Sequence, residues 1–298
     1  MTALGVLGGS GLYAIDELSV LAEHEVDTPY GRPSSPIVEG IVTHPKNPLG
    51  QEETRLFFLA RHGKSHQIPP HQINYRANIC ALRMLGVKQV VSVSAVGSMR
   101  EEIVPGDVVV VDQYIDWTKG RMSTYFDEGV VAHVSLADPV CPNLHQAVLH
   151  AVEAAREVSD TEFDIHAGGT YLCMQGPQFS TRAESRLYQS WGADVIGMTA
   201  ATEAKLAREA ELPYVTVAFA TDYDCWRNDG SDVTVEAVLA VLRANSSLAQ
   251  TIVALLPIYL THSQLSPATK ALKHALISHG PHADYVRDQL SWLLPTLK

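Results

Sequence analysis

Short apolar and β-branched runs alternate along this chain with stretches of helical composition, and that alternation constrains the fold more than any other feature. Leu4–Leu7, Leu56–Ala60, Gln89–Ser94, Val108–Asp112, Thr170–Cys173, Asp194–Gly197 and Tyr214–Ala220 have the length and composition of buried strands. Helical patterns lie between some of them. Asn74–Leu85 carries apolar residues at Ile79, Leu82 and Leu85, and Gln146–Ala155, Arg182–Trp191, Glu203–Glu211 and Val235–Leu256 have helix-forming composition. The expected class is therefore α/β, a single domain over residues 1–298 with a central mixed sheet flanked by helices. Ligands of such sheets gather at the loops leaving the carboxyl ends of strands.

No repeat, low-complexity tract or long linker divides the 298 residues. Thr28–Gln51, rich in Pro, Gly and Ser, is expected as a surface excursion. The stretch beyond Pro257 is helical in composition but interrupted by Pro267, Gly280 and Pro281. A formal net charge of −11 without a basic run argues against a nucleic-acid partner. No apolar run approaches the roughly 20 residues that span a bilayer, and Met1–Gly11 lacks a basic region ahead of an apolar one. Cys80, Cys141, Cys173 and Cys225 are scattered without a CxxC pair, which favours reduced thiols over a disulfide framework or zinc site. A cytoplasmic protein without membrane contact is the expectation.

Three segments have anion-binding chemistry. Gly8-Gly9-Ser10-Gly11 follows the first strand, where glycines expose successive N–H groups and the Ser10 hydroxyl can donate. The same residues fit a bare strand-exit turn, and Gly9–Ala14 fits a G-x-G-x-x-A dinucleotide fingerprint. Ala60-Arg61-His62-Gly63 ends another strand; Arg61 supplies a planar fork matching phosphate and His62 a donor beside it. Ser94-Ala95-Val96-Gly97-Ser98 is a run of small residues expected as a loop after the strand Val90–Val93. At the far end of the chain, Thr221-Asp222-Tyr223-Asp224 closes a strand with two carboxylates. Such a pair can bind a metal, form a solvated turn, or meet a purine by accepting from its amino group and donating to a ring nitrogen.

Taken in order, many segments resemble the 5'-methylthioadenosine phosphorylases, within the trimeric class of purine nucleoside phosphorylases. They are Leu7–Leu12, Thr28-Pro29-Tyr30-Gly31, Ala60–Gly63, Asn74-Tyr75-Arg76-Ala77-Asn78-Ile79, Gly97-Ser98-Met99-Arg100-Glu101-Glu102, Gly176–Ser185, Trp191–Thr199 and Thr221–Trp226. The resemblance is strongest over residues 5–256. It implies a nucleoside-phosphorylase-like fold and a site assembled from named positions. Ser10, Arg61, His62, Ser94, Ala95 and Thr199 stand where the family binds phosphate. Phe179 and Ser180 stand in its base pocket, Met198 against the ribose, and Asp222 and Asp224 where adenine is recognised. Relatives preferring 6-oxopurines generally carry Asn at the Asp222 position. Val235, Val238 and Leu239 stand where the family builds an apolar slot for the 5'-alkylthio group. His133 and Leu293 match positions reaching that slot from a neighbouring subunit of a homotrimer. His44–Thr54 is longer than usual for the family, as a surface insertion would be.

The implied reaction uses inorganic phosphate as co-substrate and no metal, nicotinamide or flavin. Asp222 is the expected general acid at purine N7, its pKa raised by burial and by Asp224. Competing readings are a dinucleotide-dependent oxidoreductase, a sister phosphorylase acting on methylthioinosine, inosine or adenosine, and a nucleoside-binding protein without turnover. Trp117, Trp191, Trp226 and Trp292 are expected as core or interface anchors, and His274, His279 and His282 as a solvated face. Cys225 has no partner base in sequence.

Overall fold

The computed structural model describes residues 2–9, 12, 15, 18–43, 53–127, 129–227, 235–260, 266–277 and 289–293, with residues 235–244 as backbone. Eleven strands form one mixed sheet. They are β1 (Thr2–Gly8), β2 (Ser19–His24), β3 (Ile37–Thr43), β4 (Glu53–Ala60), β5 (Gln89–Ser98), β6 (Val108–Val111), β7 (Gln113–Trp117), β8 (Ile165–His166), β9 (Thr170–Met174), β10 (Val195–Gly197) and β11 (Tyr214–Asp222). The order β2-β3-β4-β1-β5-β10-β9-β7 runs across it, with β11 along β5, β6 beside β11 and β8 beside β6. Among the described residues five α-helices accompany them: α1 (Tyr75–Met84), α2 (Pro142–Val158), α3 (Arg182–Ser190), α4 (Ala200–Glu209) and α5 (Val235–Leu255).

The apolar strands are buried on both faces, and the strand period of two sorts their side chains into separate cores. Leu56 and Phe58 of β4 join Val215 and Val217 of β11 and the buried sides of α2 and α5. The alternate residues Phe57 and Leu59 join Tyr214 and the buried sides of α1 and α4. Helix starts follow local chemistry. Asn74 accepts from the Ala77 amide to cap α1, Pro142 opens α2, and Thr181 and Glu184 close a capping box on α3.

Thr28–Gln51 is not the expected surface excursion throughout, because Ile37–Thr43 within it is strand β3, paired antiparallel with β2 and β4. Ile37 and Val42 are fully buried there. Glu39 hid the pattern: it points inward, where His24 and Arg55 on the adjoining strands pair with it. Thr54 and Glu53 belong to β4, so the expected insertion at His44–Thr54 ends before them; residues 44–52 lie outside the described residues. Past Pro257 the described chain forms 3-10 turns at Leu256–Ile258 and Pro267–Lys270 and a bridge from Leu276 to Ala132 rather than continuous helix.

Trp117 and Trp191 are exposed and meet edge to face, so neither is a core residue, whereas Trp226 donates to the Ser98 carbonyl. All four cysteines are free, three of them buried. His274 is exposed, and His279 and His282 lie outside the described residues. Among the described residues no helix is long and apolar enough to cross a membrane, and no three His, Cys, Asp or Glu side chains gather to hold a metal.

Candidate active site

Strand β5 organises the site because its two edges are used unequally. Strand β11 pairs with it in parallel from Val90 to Gly97 along one edge. The other edge is shared by two strands: β1 pairs in parallel up to Ser92, and β10 pairs antiparallel only from Gly97 to Ser98. Between them the sheet opens a notch beside Val93–Val96. The chain leaving β1 after Gly8, the turn after β4 and the turn after β10 all end at this opening, as expected for the crevice of an α/β sheet.

Ser94 and Ala95 therefore sit inside a strand, not in the loop that the small residues suggested. Continued pairing with β11, and then with β10, keeps Ser94–Ser98 extended. The Ser94 hydroxyl has weak protein partners, 3.4 Å from both the Ala95 carbonyl and the Tyr171 hydroxyl. Tyr171 also lies 3.5 Å from the Thr199 amide nitrogen. Two residues distant in sequence thus meet around one buried phenol. Thr199 is the N-cap of α4, yet its side chain makes no capping bond. Its hydroxyl and the N–H groups of the helix start are donors for an anion.

Arg61 is almost wholly buried, and its fork is turned away from the expected ligand. Nε donates to Glu203 Oε1 at 2.7 Å, Nη2 to the Leu7 carbonyl and the Ser92 hydroxyl, and Nη1 to the Val93 carbonyl at 2.7 Å. Of the five guanidinium N–H groups, one on Nη1 is left uncommitted among the described residues. Burial disfavours the Arg61 charge, but the facing Glu203 more than restores it, so the Arg61 pKa is raised. Glu203 is itself held by Ser92 Oγ at 2.9 Å and Tyr214 Oη at 2.8 Å. Phosphate at the notch would meet one arginine N–H and neutral donors rather than a bidentate clamp.

His62 differs from expectation in a related way. Its Nδ1 is 2.9 Å from the Ile68 carbonyl, which fixes Nδ1–H as the donor and leaves Nε2 an acceptor while the ring is neutral. Burial, followed by the Arg61 charge, lowers its pKa to about 4. Near neutral pH Nε2 of the neutral ring accepts a hydrogen bond from a ligand instead of donating one.

At the other end of the notch, Asp222 closes β11 and is in register with Gly97 across a β-bulge. Its carboxylate accepts from Thr221 Oγ1 at 2.6 Å and from the Asp224 amide at 2.8 Å. Asp224 is buried with φ 50°, a left-handed backbone that turns it back toward the sheet. Burial raises the pKa of both acids, and for Asp222 the Asp224 carboxylate adds to the rise. Gly97 makes room for the pair: a Cβ there would lie 3.0 Å from Asp222 Oδ1 and 3.3 Å from Asp224 Cβ. Cys225 Sγ donates to the Ser180 carbonyl at 3.2 Å, bringing Ser180 and the exposed Phe179 to the acidic pair. Met198 packs its sulfur against Gly176, at the start of the segment that carries them.

The remaining expected positions divide. Ser10 lies outside the described residues. Val235, Val238 and Leu239 fall in the first turns of α5, with their side chains outside the description. His133 is exposed, its amide bonded to the Ala275 carbonyl, and no described contact joins it to the notch of its own chain. Leu293 is fully buried in its own chain's core among Tyr125, Leu272 and Leu290. That corrects the expectation that it reaches a neighbouring subunit.

A family model for the phosphorylase superfamily matches residues 3–256. The chain belongs to that superfamily. Among curated members, it is 48% identical over 276 residues to an S-methyl-5'-thioadenosine phosphorylase of Geobacter sulfurreducens, covering 92% of this chain and 91% of that protein. It is 51% identical over 250 residues to the protein of the same name from Koribacter versatilis, covering 84% and 80%. Among solved structures, a methylthioadenosine phosphorylase from an antarctic soil metagenomic library superposes with a TM-score of 0.89 at 42% identity, covering 99% of both chains. A variant adenosine/methylthioadenosine phosphorylase of Schistosoma mansoni, solved with methylthioadenosine, superposes at 0.77 with 30% identity, covering 99% and 98%. The superfamily fold is thus the mixed sheet with flanking helices expected from sequence.

Sequence reasoning missed Glu203, Tyr171 and Arg121, whose guanidinium ties the turns after β9 and β10 together. Glu203 had one signal, a lone acid in the alanine-rich opening Ala200-Ala201-Thr202-Glu203 of α4.

Proposed function

We propose that this enzyme cleaves 5'-methylthioadenosine with phosphate, giving adenine and 5-methylthioribose 1-phosphate. One observation carries the reading. Arg61 touches β5 at Val93 and Asp222 is in register with Gly97, four positions on, so one extended strand separates the oxyanion end from the base end by about 13 Å. A nucleoside lying over β5 with a phosphate beneath its sugar spans that distance.

In this reaction a phosphate oxygen forms a bond to the anomeric carbon as the C–N bond breaks, and the electron pair of that bond passes to the purine. Asp222 supplies a proton at N7, so the base leaves neutral. The Thr199 and Ser94 donors and the free Arg61 N–H hold the nucleophile in line, which converts an encounter into an oriented step. His62 Nε2 suits the proton of hydrogen phosphate. Asp224 accepts from the 6-amino group, while Phe179, Ser180 and Met198 form the walls around base and ribose. Val235, Val238 and Leu239 form the apolar slot. The proposal extends to a homotrimer in which His133 enters a neighbour's slot, and to a cytoplasmic enzyme, in keeping with four free cysteines. Inorganic phosphate is the second substrate, and no further cofactor enters the scheme.

Following free adenine from methylthioadenosine, with and without phosphate, tests the reading. Release that requires phosphate supports it, and equal release in both samples points to a hydrolase. Methylthioinosine as rival substrate decides the base: Asp at position 222, rather than Asn, predicts preference for the 6-amino compound.

A further inference from the structure

Arg121 follows a turn at Gly120, in a part of the chain to which no role has been given. Its guanidinium binds three separated segments. Nη1 donates to the Met198 carbonyl at 2.7 Å, the Tyr75 hydroxyl at 2.9 Å and, more weakly, Thr202 Oγ1 at 3.4 Å. Nη2 donates to the Gln175 carbonyl at 2.7 Å and to that of Met174 at 3.4 Å. Tyr75 donates its hydroxyl hydrogen bond to the Pro70 carbonyl, so it acts on Arg121 purely as an acceptor, and its ring lies 5.3 Å from the guanidinium. No carboxylate pairs with Arg121 among the described residues, and its Nε is buried without a hydrogen-bond partner. The half-buried Arg121 charge is met by carbonyl dipoles and a phenol, where a purely structural tie would ordinarily recruit an acid.

The geometry points to Arg121 as a positioning residue for the oxyanion, acting through the Met198–Thr199 peptide; the inference rests on the proposed phosphate site. That peptide is trans, so its C=O and N–H point in opposite directions. By fixing the Met198 carbonyl on one side, Arg121 aims the Thr199 N–H at the other, toward Tyr171 and Ser94. A cation on the carbonyl also polarises the peptide and makes that N–H a stronger donor. The same guanidinium holds Gln175, at the entry to Gly176–Ser180, so one group sets the walls on both sides of the sugar. Lysine at this position keeps the charge but loses the planar fork that holds the Met198 and Gln175 carbonyls from two separate nitrogens.

Calorimetric titration of wild type, Arg121→Lys and Arg121→Met with inorganic phosphate alone tests this, alongside KM for phosphate, KM for methylthioadenosine, kcat and Tm. The expected result is phosphate binding about tenfold to a hundredfold weaker in Arg121→Met, with a smaller rise in the nucleoside KM. Arg121→Lys should be intermediate, and millimolar guanidinium should partly restore phosphate binding to Arg121→Ala, which leaves the guanidinium's space empty. Equal changes in both KM values, or a lower Tm with phosphate binding unaltered, would overturn the assignment. The outcomes are separable from the fate of the proposed function. Wild type that binds phosphate but releases no adenine refutes that function, whereas wild type and Arg121→Met binding phosphate equally refutes the role of Arg121.

Discussion

A carboxyl that has lost its water and gained an acidic neighbour keeps its proton to higher pH, as Asp222 does, and the proposed mechanism delivers that proton to the purine. Because the protonated form donates, turnover should fall as pH rises through its pKa, which lies above the ordinary value of about 3.9. Asp222→Asn should lower kcat on methylthioadenosine by about a hundredfold and improve methylthioinosine relative to it, as steady-state rates on both substrates would show. Away from the notch, Glu209 is buried, accepts from the Tyr125 amide at 2.7 Å and from Thr124 Oγ1 at 2.8 Å, and is raised by burial to about 7. Its folded pKa exceeds its unfolded one of 4.5, so its contribution is fully present below 4.5 and is lost as pH rises through 7. Glu209→Gln keeps the shape without the charge. Thermal unfolding should find it more stable than wild type at pH 8 by about 2–3 kcal/mol, with no gain at pH 4.5. The chemistry of Asp222 was legible because type and neighbour sit within three residues. The Arg61–Glu203 pair was not, since the fold alone brings those positions together.

Among the elements, β5 carries the account. Its small residues Ser94-Ala95-Val96-Gly97-Ser98 suggested a loop, but pairing with β11 along one edge, joined by β10 at Gly97 and Ser98, makes them strand. Propensity lost to tertiary context there, as it did in β3, where an inward Glu39 broke the alternation. The position of the notch is a property of pairing and could not be read from any one segment. Gly97 follows from it. Gly97→Ala would place a methyl 3.0 Å from Asp222 Oδ1 and 3.1 Å from Ile196 Cγ2. It should lower kcat/KM for the nucleoside about tenfold to a hundredfold, because a displacement of order 1 Å at the acid is enough. Phosphate binding should be unchanged, since the oxyanion donors lie at the other end of the notch.

At the scale of the molecule, the succession of strands and helices was legible and the C-terminal part was not. The 3-10 turns after Pro257 have no long periodic signal, and Leu293 carries no mark to distinguish a core residue from one reaching outward. His133 is exposed in the single chain, so the part proposed for it in a neighbour's slot requires assembly. Light scattering should give the mass of three chains. His133→Ala should raise KM for methylthioadenosine about tenfold without changing that mass. The central claim, that one notch along β5 seats an oxyanion at one end and a purine at the other, is tested most directly by a crystal structure with phosphate and adenine. Phosphate between Ser94, Thr199 and the free Arg61 N–H, with adenine N7 at Asp222, is the predicted result. Adenine bound away from Asp222, or phosphate away from the notch, would contradict it.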